Sequence, residues 1–146
     1  MDDEKLIATR ESFGNAIVEL DNKNIVVLDA DLDTATKTKY FAEKYPDRFI
    51  EMGISENDMV GTAAGLATAG KIPFASSFAS FITGRCYDQI RCSIAYPKLN
   101  VKLVGSHYGI TVGEDGATHQ MLEDISLMRT LPNMTVLCPA DDISCK

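Results

Sequence analysis

Three groups of residues in this sequence have the types and spacing to do chemistry. The first is Glu56, a carboxylate within residues 48–70 at the turn where a strand-like run gives way to a helix rich in small residues. A carboxylate there is either a first-turn helix residue favoured by the dipole and left in water, or a ligand group at the carboxyl end of a buried strand, where open α/β sheets bind their ligands. Spacing alone leaves both readings open. The second group is His107, Glu114, Asp115 and His119, in a segment over residues 106–120 punctuated by Gly109, Gly113 and Gly116. Imidazoles beside a carboxylate suit hydrogen bonding to a hydroxylated or phosphorylated substrate. A metal ion would need a further ligand from elsewhere, and a surface excursion with two solvated histidines is the alternative. Phe78 and Phe81 form the third group: three apart, they share one side of a helix, and such a pair packs in a core or, at a strand end, stacks on a bound ring.

The elements that must position these groups follow from hydrophobic period and turn residues. Residues 49–54 read as a strand, Ser55 as an N-cap with Asp58 three positions on, a variant of the capping box, and Glu56 as the first helical residue. Met59, Val60, Ala63, Ala64, Leu66 and Ala67 make the apolar face of that helix. Gly61 and Gly65 each cost a helix about 1 kcal/mol relative to alanine, so a close approach by another backbone or a flat ligand is the expected compensation. Around this unit the chain alternates. Helices are expected over residues 6–20, 36–45, 80–95 and 122–131, and strands over 25–28, 71–76, 101–105 and 134–137. Five strand runs between helices predict an α/β fold, a mostly parallel sheet with helices on both faces and right-handed crossovers. Residues 1–146 suffice for one such domain.

Composition excludes several functions. The net charge is −7, and no basic stripe with interleaved aromatics occurs, so nucleic acid is not an expected partner. No apolar run reaches the roughly 20 residues that span a bilayer, and Met1-Asp2-Asp3-Glu4 is not a signal peptide, so no membrane association and a cytoplasmic location are expected. Cys86, Cys92, Cys138 and Cys145 lack zinc-site spacing and are expected as reduced thiols.

Five ordered motifs carry a family resemblance: Ala8-Thr9-Arg10, Asp29-Ala30-Asp31-Leu32, the run from Gly53 to Gly61, Phe78-x-x-Phe81, and the run from Gly113 to Gln120. With them the chain resembles the pyrimidine-binding domain of transketolase over nearly its whole length, and specifically the C-terminal chain of split, two-subunit transketolases. The resemblance implies thiamine diphosphate chemistry, the transfer of a two-carbon ketol unit from a ketose phosphate to an aldose in carbohydrate metabolism. It implies that Glu56 hydrogen-bonds N1′ of the aminopyrimidine, so that the ring's 4′ nitrogen takes the thiazolium C2 proton. Phe78 and Phe81 then match residues packed on that ring, Leu32 one that supports the bent cofactor, and Asp31 one at the cofactor and subunit contact. Arg10 matches a substrate-phosphate ligand, while His107, Asp115 and His119 match groups that hold substrate hydroxyls and, for His119, assist proton transfer. A homodimer of pyrimidine domains is also implied.

The chain departs from the family pattern at Gly84, where single-chain members often carry a third aromatic, and at Ala35, where they carry a serine. Tyr108-Gly109 stands where Asp-Ser is usual, and Ala117 where proline is frequent. The family's Gly-Asp-Gly motif with a downstream Asn is absent. The diphosphate and Mg²⁺ sites are therefore expected on an N-terminal transketolase subunit, which shares the cofactor with this chain. A further helix and strand, and a C-terminal domain, are expected beyond Lys146. Three alternatives stay open at this point: the matching domain of 1-deoxy-xylulose 5-phosphate synthase, that of a 2-oxoacid dehydrogenase beta subunit, and a non-catalytic assembly module.

Overall fold

Strand β1, Ile25–Asp29, is buried at all five positions, and its alternating side chains serve two separate cores. Ile25 and Val27 pack with Ile17 and Phe41 on one face of the sheet. Val26 and Leu28 pack with Met59, Val60, Ala63, Ile82 and Ile90 on the other. Successive residues of a strand point to opposite faces, so a strand covered on both sides has no room for a polar position until it reaches its end. The computed structural model, which describes residues 7–146, therefore has helices on both faces of its sheet. Helix α1 (Thr9–Glu19) supplies Ile17, and α3 (Lys39–Lys44) supplies Phe41. On the opposite face, α4 (Glu56–Thr68) supplies Met59, Val60 and Ala63.

Among the described residues four parallel strands form the sheet, in the order β2 (Phe49–Glu51), β1, β3 (Ile72–Phe78), β4 (Lys102–Ser106). The register pairs Asp29 with Glu51 and with Ser76, and Phe78 with Ser106. All four strands thus end at one edge, and the segments carrying Asp31, Glu56, Phe81 and His107 leave from it.

Several expected boundaries shift. Leu6 lies outside the described residues, and α1 starts only at Thr9. Strand β2 stops at Glu51, three residues short of Ile54. The Glu51 carboxylate accepts from the backbone N–H of Asp31 (2.8 Å) and of Gly53 (2.9 Å), and the chain turns there at Gly53, whose φ is +65°. The helix expected over residues 36–45 is shortened to α3, because Lys37, a non-glycine residue at φ +69°, separates it from a short preceding α2 (Asp33–Thr36). Asp29 is the cause. Its buried carboxylate accepts from Leu32 N (2.7 Å) and from the hydroxyls of Thr36 (2.7 Å) and Thr38 (2.8 Å), and those three contacts fold the chain around it. Burial pushes the Asp29 carboxyl above its ordinary pKa, against the opposing pull of these donors. Gly14 of α1 lets this segment come close: a Cβ there would lie 2.7 Å from Lys37 Cβ.

Downstream, the single helix expected over residues 80–95 forms as two wide-turned segments, Ser80–Arg85 and Ile90–Ala95, around the short α5 (Tyr87–Gln89). Helix α6 is only Asp124–Arg129, and α7 is Asp142–Cys145. The strand expected over residues 134–137 does not join the sheet. Met134 and Val136 pack against the core while Leu137 is 84% exposed. Its alternation records one buried face, whereas a strand also needs backbone pairing with a neighbour, which burial does not encode. Finally, a Cβ added at Gly61 or Gly65 would meet nothing within 4 Å, so the close approach expected at these two glycines is not made by the described residues.

Candidate active site

Glu56 opens α4 and is 6% exposed, so it is not a solvated first-turn carboxylate. Ser55 precedes it without capping the helix: its hydroxyl donates to Met52 O at 2.6 Å, which tightens the turn out of β2. The Glu56 side chain faces Arg85, whose Nη1 donates to Oε1 at 3.2 Å. Arg85 in turn lies over the Phe81 ring, with its guanidinium carbon 4.0 Å from the centroid.

From Phe81 a run of rings leads across the edge of the sheet. Phe78 is the last residue of β3 and not part of a helix with Phe81, yet the two rings stack at 5.7 Å with planes 21° apart. His107 lies 4.1 Å from Phe78 between centroids, and His119 sits edge-on to Phe81 at 5.2 Å. His107 follows β4 directly, at φ +55°. His119 is brought in by the 106–120 segment, which Gly109 and Met121 close with a pair of backbone hydrogen bonds of 2.7 and 3.2 Å. A Thr118 hydroxyl 2.9 Å from Nδ1 fixes its ring.

The contacts of His107 determine its tautomer. Arg10 Nη1 lies 3.1 Å from His107 Nε2, and a guanidinium can only donate, so Nε2 is the acceptor. The ring proton therefore sits on Nδ1, where it is donated to Ser106 Oγ at 2.8 Å. Burial first, and the Arg10 charge second, hold this imidazole below its ordinary pKa, while Asp115 pulls it the other way. His107 is thus neutral at pH 7, with an arginine beside it.

Arg10, Asp31 and Leu32 line an open cleft of about 550 Å³ next to this row, with Lys37 on its wall. Asp31 is exposed at φ +61°, and its N–H is the one held by Glu51. Arg10, Phe78, Phe81, His107 and His119 therefore form one contiguous group, Glu56 joins it through Arg85, and Asp31 and Leu32 join it beside Arg10. Asp115 is not drawn into contact: it is exposed and acts on His107 only through its charge. Among the described residues no three His, Cys, Asp or Glu side chains converge as metal ligands do. No described helix is long and apolar enough to cross a membrane. Arg85, Glu51 and Asp29 are the site residues that sequence reasoning gave no role. For Arg85 a signal existed, since it follows Phe81 by four residues, the spacing that brings helical neighbours together.

Residues 5–146 match the family model described as transketolase, pyrimidine binding domain. The chain belongs to that family. It is 57% identical over 134 residues to a putative transketolase C-terminal section of Methanocaldococcus jannaschii, covering 90% of this chain and 42% of that protein. It is 47% identical over 134 residues to a 6-deoxy-6-sulfo-D-fructose transketolase subunit, SqwH, of Clostridium sp. (strain MSTE9), with the same two coverages of 90% and 42%. A solved structure described as a split gene transketolase, inactive beta4 tetramer, superposes with a TM-score of 0.83 at 56% identity, over 95% of this chain and 45% of that one. The chain thus spans less than half the length of these relatives.

The row of contacts around His107 makes a titration prediction. Arg10→Ala removes a charge that depresses the imidazole, so the His107 pKa should rise toward the ordinary value of about 6.5, and Asp115→Asn should lower it further. Because the folded-state value is depressed, the unfolded chain takes up the proton first, and stability should fall as pH drops from about 6.5 through the folded-state value. NMR titration of the ring protons reads both substitutions. A His107 pKa indifferent to Arg10→Ala would contradict the contact.

Proposed function

We propose that this chain is the pyrimidine-binding subunit of a transketolase that uses thiamine diphosphate to move a two-carbon ketol unit from a ketose phosphate to an aldose. The observation that carries this reading is the pairing of a buried carboxylate, Glu56, with an adjacent aromatic face, Phe81, both engaged by one flat N–H donor. An aminopyrimidine has the same requirements, an edge for a carboxylate and a face for a ring. Membership of the transketolase family supports the reading.

Bound thiamine diphosphate supplies a thiazolium carbon that becomes nucleophilic and carries the two-carbon unit. The residues of this chain do the rest. Glu56 holds a proton at N1′ of the aminopyrimidine, in a site sheltered enough that water does not compete for it. Phe78 and Phe81 stack against the ring, Leu32 supports the cofactor, and Asp31 lies at the cofactor and subunit contact. Arg10 binds the substrate phosphate, for which a planar guanidinium is well shaped. His107, held neutral with its proton on Nδ1, keeps Nε2 as an acceptor for Arg10 or for a substrate hydroxyl. His119 and Asp115 hold further hydroxyls, and His119 transfers protons to and from them. An N-terminal subunit holds the diphosphate and Mg²⁺, and two copies of this chain meet through α4, where Gly61 and Gly65 leave room for a second backbone.

Glu56→Gln keeps the size and the hydrogen-bonding atoms of the side chain but cannot hand over a proton. In the assembled enzyme, exchange of the cofactor C2 proton for deuterium, read by NMR after acid quench, should slow toward the upper part of the roughly 100- to 10,000-fold range of general acid–base groups. His119→Ala or Asp115→Ala should leave that exchange near the unmodified rate and slow ketol transfer instead. Exchange in Glu56→Gln at the unmodified rate would show that Glu56 is not the activating group. For the subunit contact, a Cβ at Gly61 meets no other described residue within 4 Å, so Gly61→Leu should fold, yet sediment as a monomer. An unchanged dimer in that variant would move the interface off α4.

A further inference from the structure

Arg85 is tied down at two points although its side chain is 52% exposed. One edge of the guanidinium donates to Glu56 Oε1 at 3.2 Å, and its carbon lies over the Phe81 ring, 4.0 Å from the centroid. A planar N–H donor lying over Phe81 and bonded to Glu56 occupies the two surfaces assigned above to the aminopyrimidine. Both cannot hold them at once.

We propose that Arg85 fills the aminopyrimidine subsite of the chain before the cofactor arrives, and must swing away from Glu56 and Phe81 for the cofactor to bind. This rests on the reading of Glu56 and Phe81 given above. The arrangement answers a physical need. Glu56 is buried, and a buried carboxylate without a partner is costly, so an empty subsite needs a counter-charge. Arg85 supplies it from a position that can retreat into solvent. Gly84 beside it has space around it: among the described residues outside its own helical turn, a Cβ there would meet the Met121 methyl alone, at 3.9 Å. Wide helical turns such as Ser80–Arg85 occur where function takes precedence over regular hydrogen bonding. Displacement needs no covalent step: the pyrimidine edge replaces the guanidinium edge at Oε1, and the charge of Arg85 moves to water.

A self-occupied subsite weakens binding in proportion to the fraction of molecules that are open, so a site about one tenth open loses about tenfold in apparent affinity. The test uses the full-length protein without its N-terminal subunit, titrated with the cofactor's aminopyrimidine half, which lacks both thiazolium and diphosphate. Arg85→Gln should bind this probe about tenfold or more tightly than the unmodified protein. Arg85→Lys, which keeps the charge but loses the flat face, should fall between them. In the unmodified protein, the probe should move the Arg85 Nε–H NMR signal to the position it takes in Glu56→Gln. Equal or weaker binding by Arg85→Gln, with the probe still seated at Glu56, overturns the plug and leaves the aminopyrimidine reading standing. If no variant binds the probe while Glu56→Gln still shifts the Arg85 signal, the ion pair exists but the aminopyrimidine reading fails, and this proposal fails with it.

Discussion

Everything in the site depends on one constraint, the common register of four parallel strands. Parallel pairing fixes which residues lie side by side, and here it sets the ends of β1, β2, β3 and β4 along a single edge. Residues far apart in the sequence, Asp31, Glu56, Phe81 and His107, are brought together there because each follows a strand that ends at that edge. Ligands of open α/β sheets bind at the carboxyl ends of their strands for the same reason. Nothing in the individual loops would produce this convergence without the ladder beneath them.

The register brings the loops together, but two carboxylates give them their shape. Asp29 ends a strand that is apolar until that point, and its three donors wrap the next nine residues around it, leaving Lys37 in the left-handed region. Glu51 does the same across the gap between β1 and β2 by holding Asp31 N and Gly53 N together. Each is a buried or local polar contact that replaces regular secondary structure with a defined turn. Neither touches the ring system of the site, and both determine where the groups that do touch it can stand.

This division explains what the sequence made legible. Apolar runs and helical spacing record burial, so the α/β class, the parallel sheet and most strand positions could be read from it, as could Glu56 as the first residue of α4. Burial patterns do not record pairing, which is why residues 134–137 looked like a strand and are not one. They also do not record long-range polar contacts. The split of α2 from α3 is dictated by a carboxylate several residues earlier in the chain, and the early end of β2 by Glu51. Within the site, the resemblance to a family marked Glu56, Phe78, Phe81, His107 and His119, and the structure gathers them. The tautomer of His107 and the engagement of Glu56 by Arg85 depend on contacts across 97 and 29 positions of sequence, a separation at which spacing says nothing.

Under the proposed function the carboxylate and stacked rings of this group receive a pyrimidine, and its imidazoles and arginine receive a sugar phosphate. The central claim is that the site is divided between two polypeptides, and calorimetry of thiamine diphosphate binding in the presence of Mg²⁺ tests it most directly. The full-length protein alone should bind the cofactor weakly or not at all, with Mg²⁺ making no difference, and addition of its N-terminal subunit should produce tight, Mg²⁺-dependent binding. Tight, Mg²⁺-dependent binding by the protein alone would contradict the division.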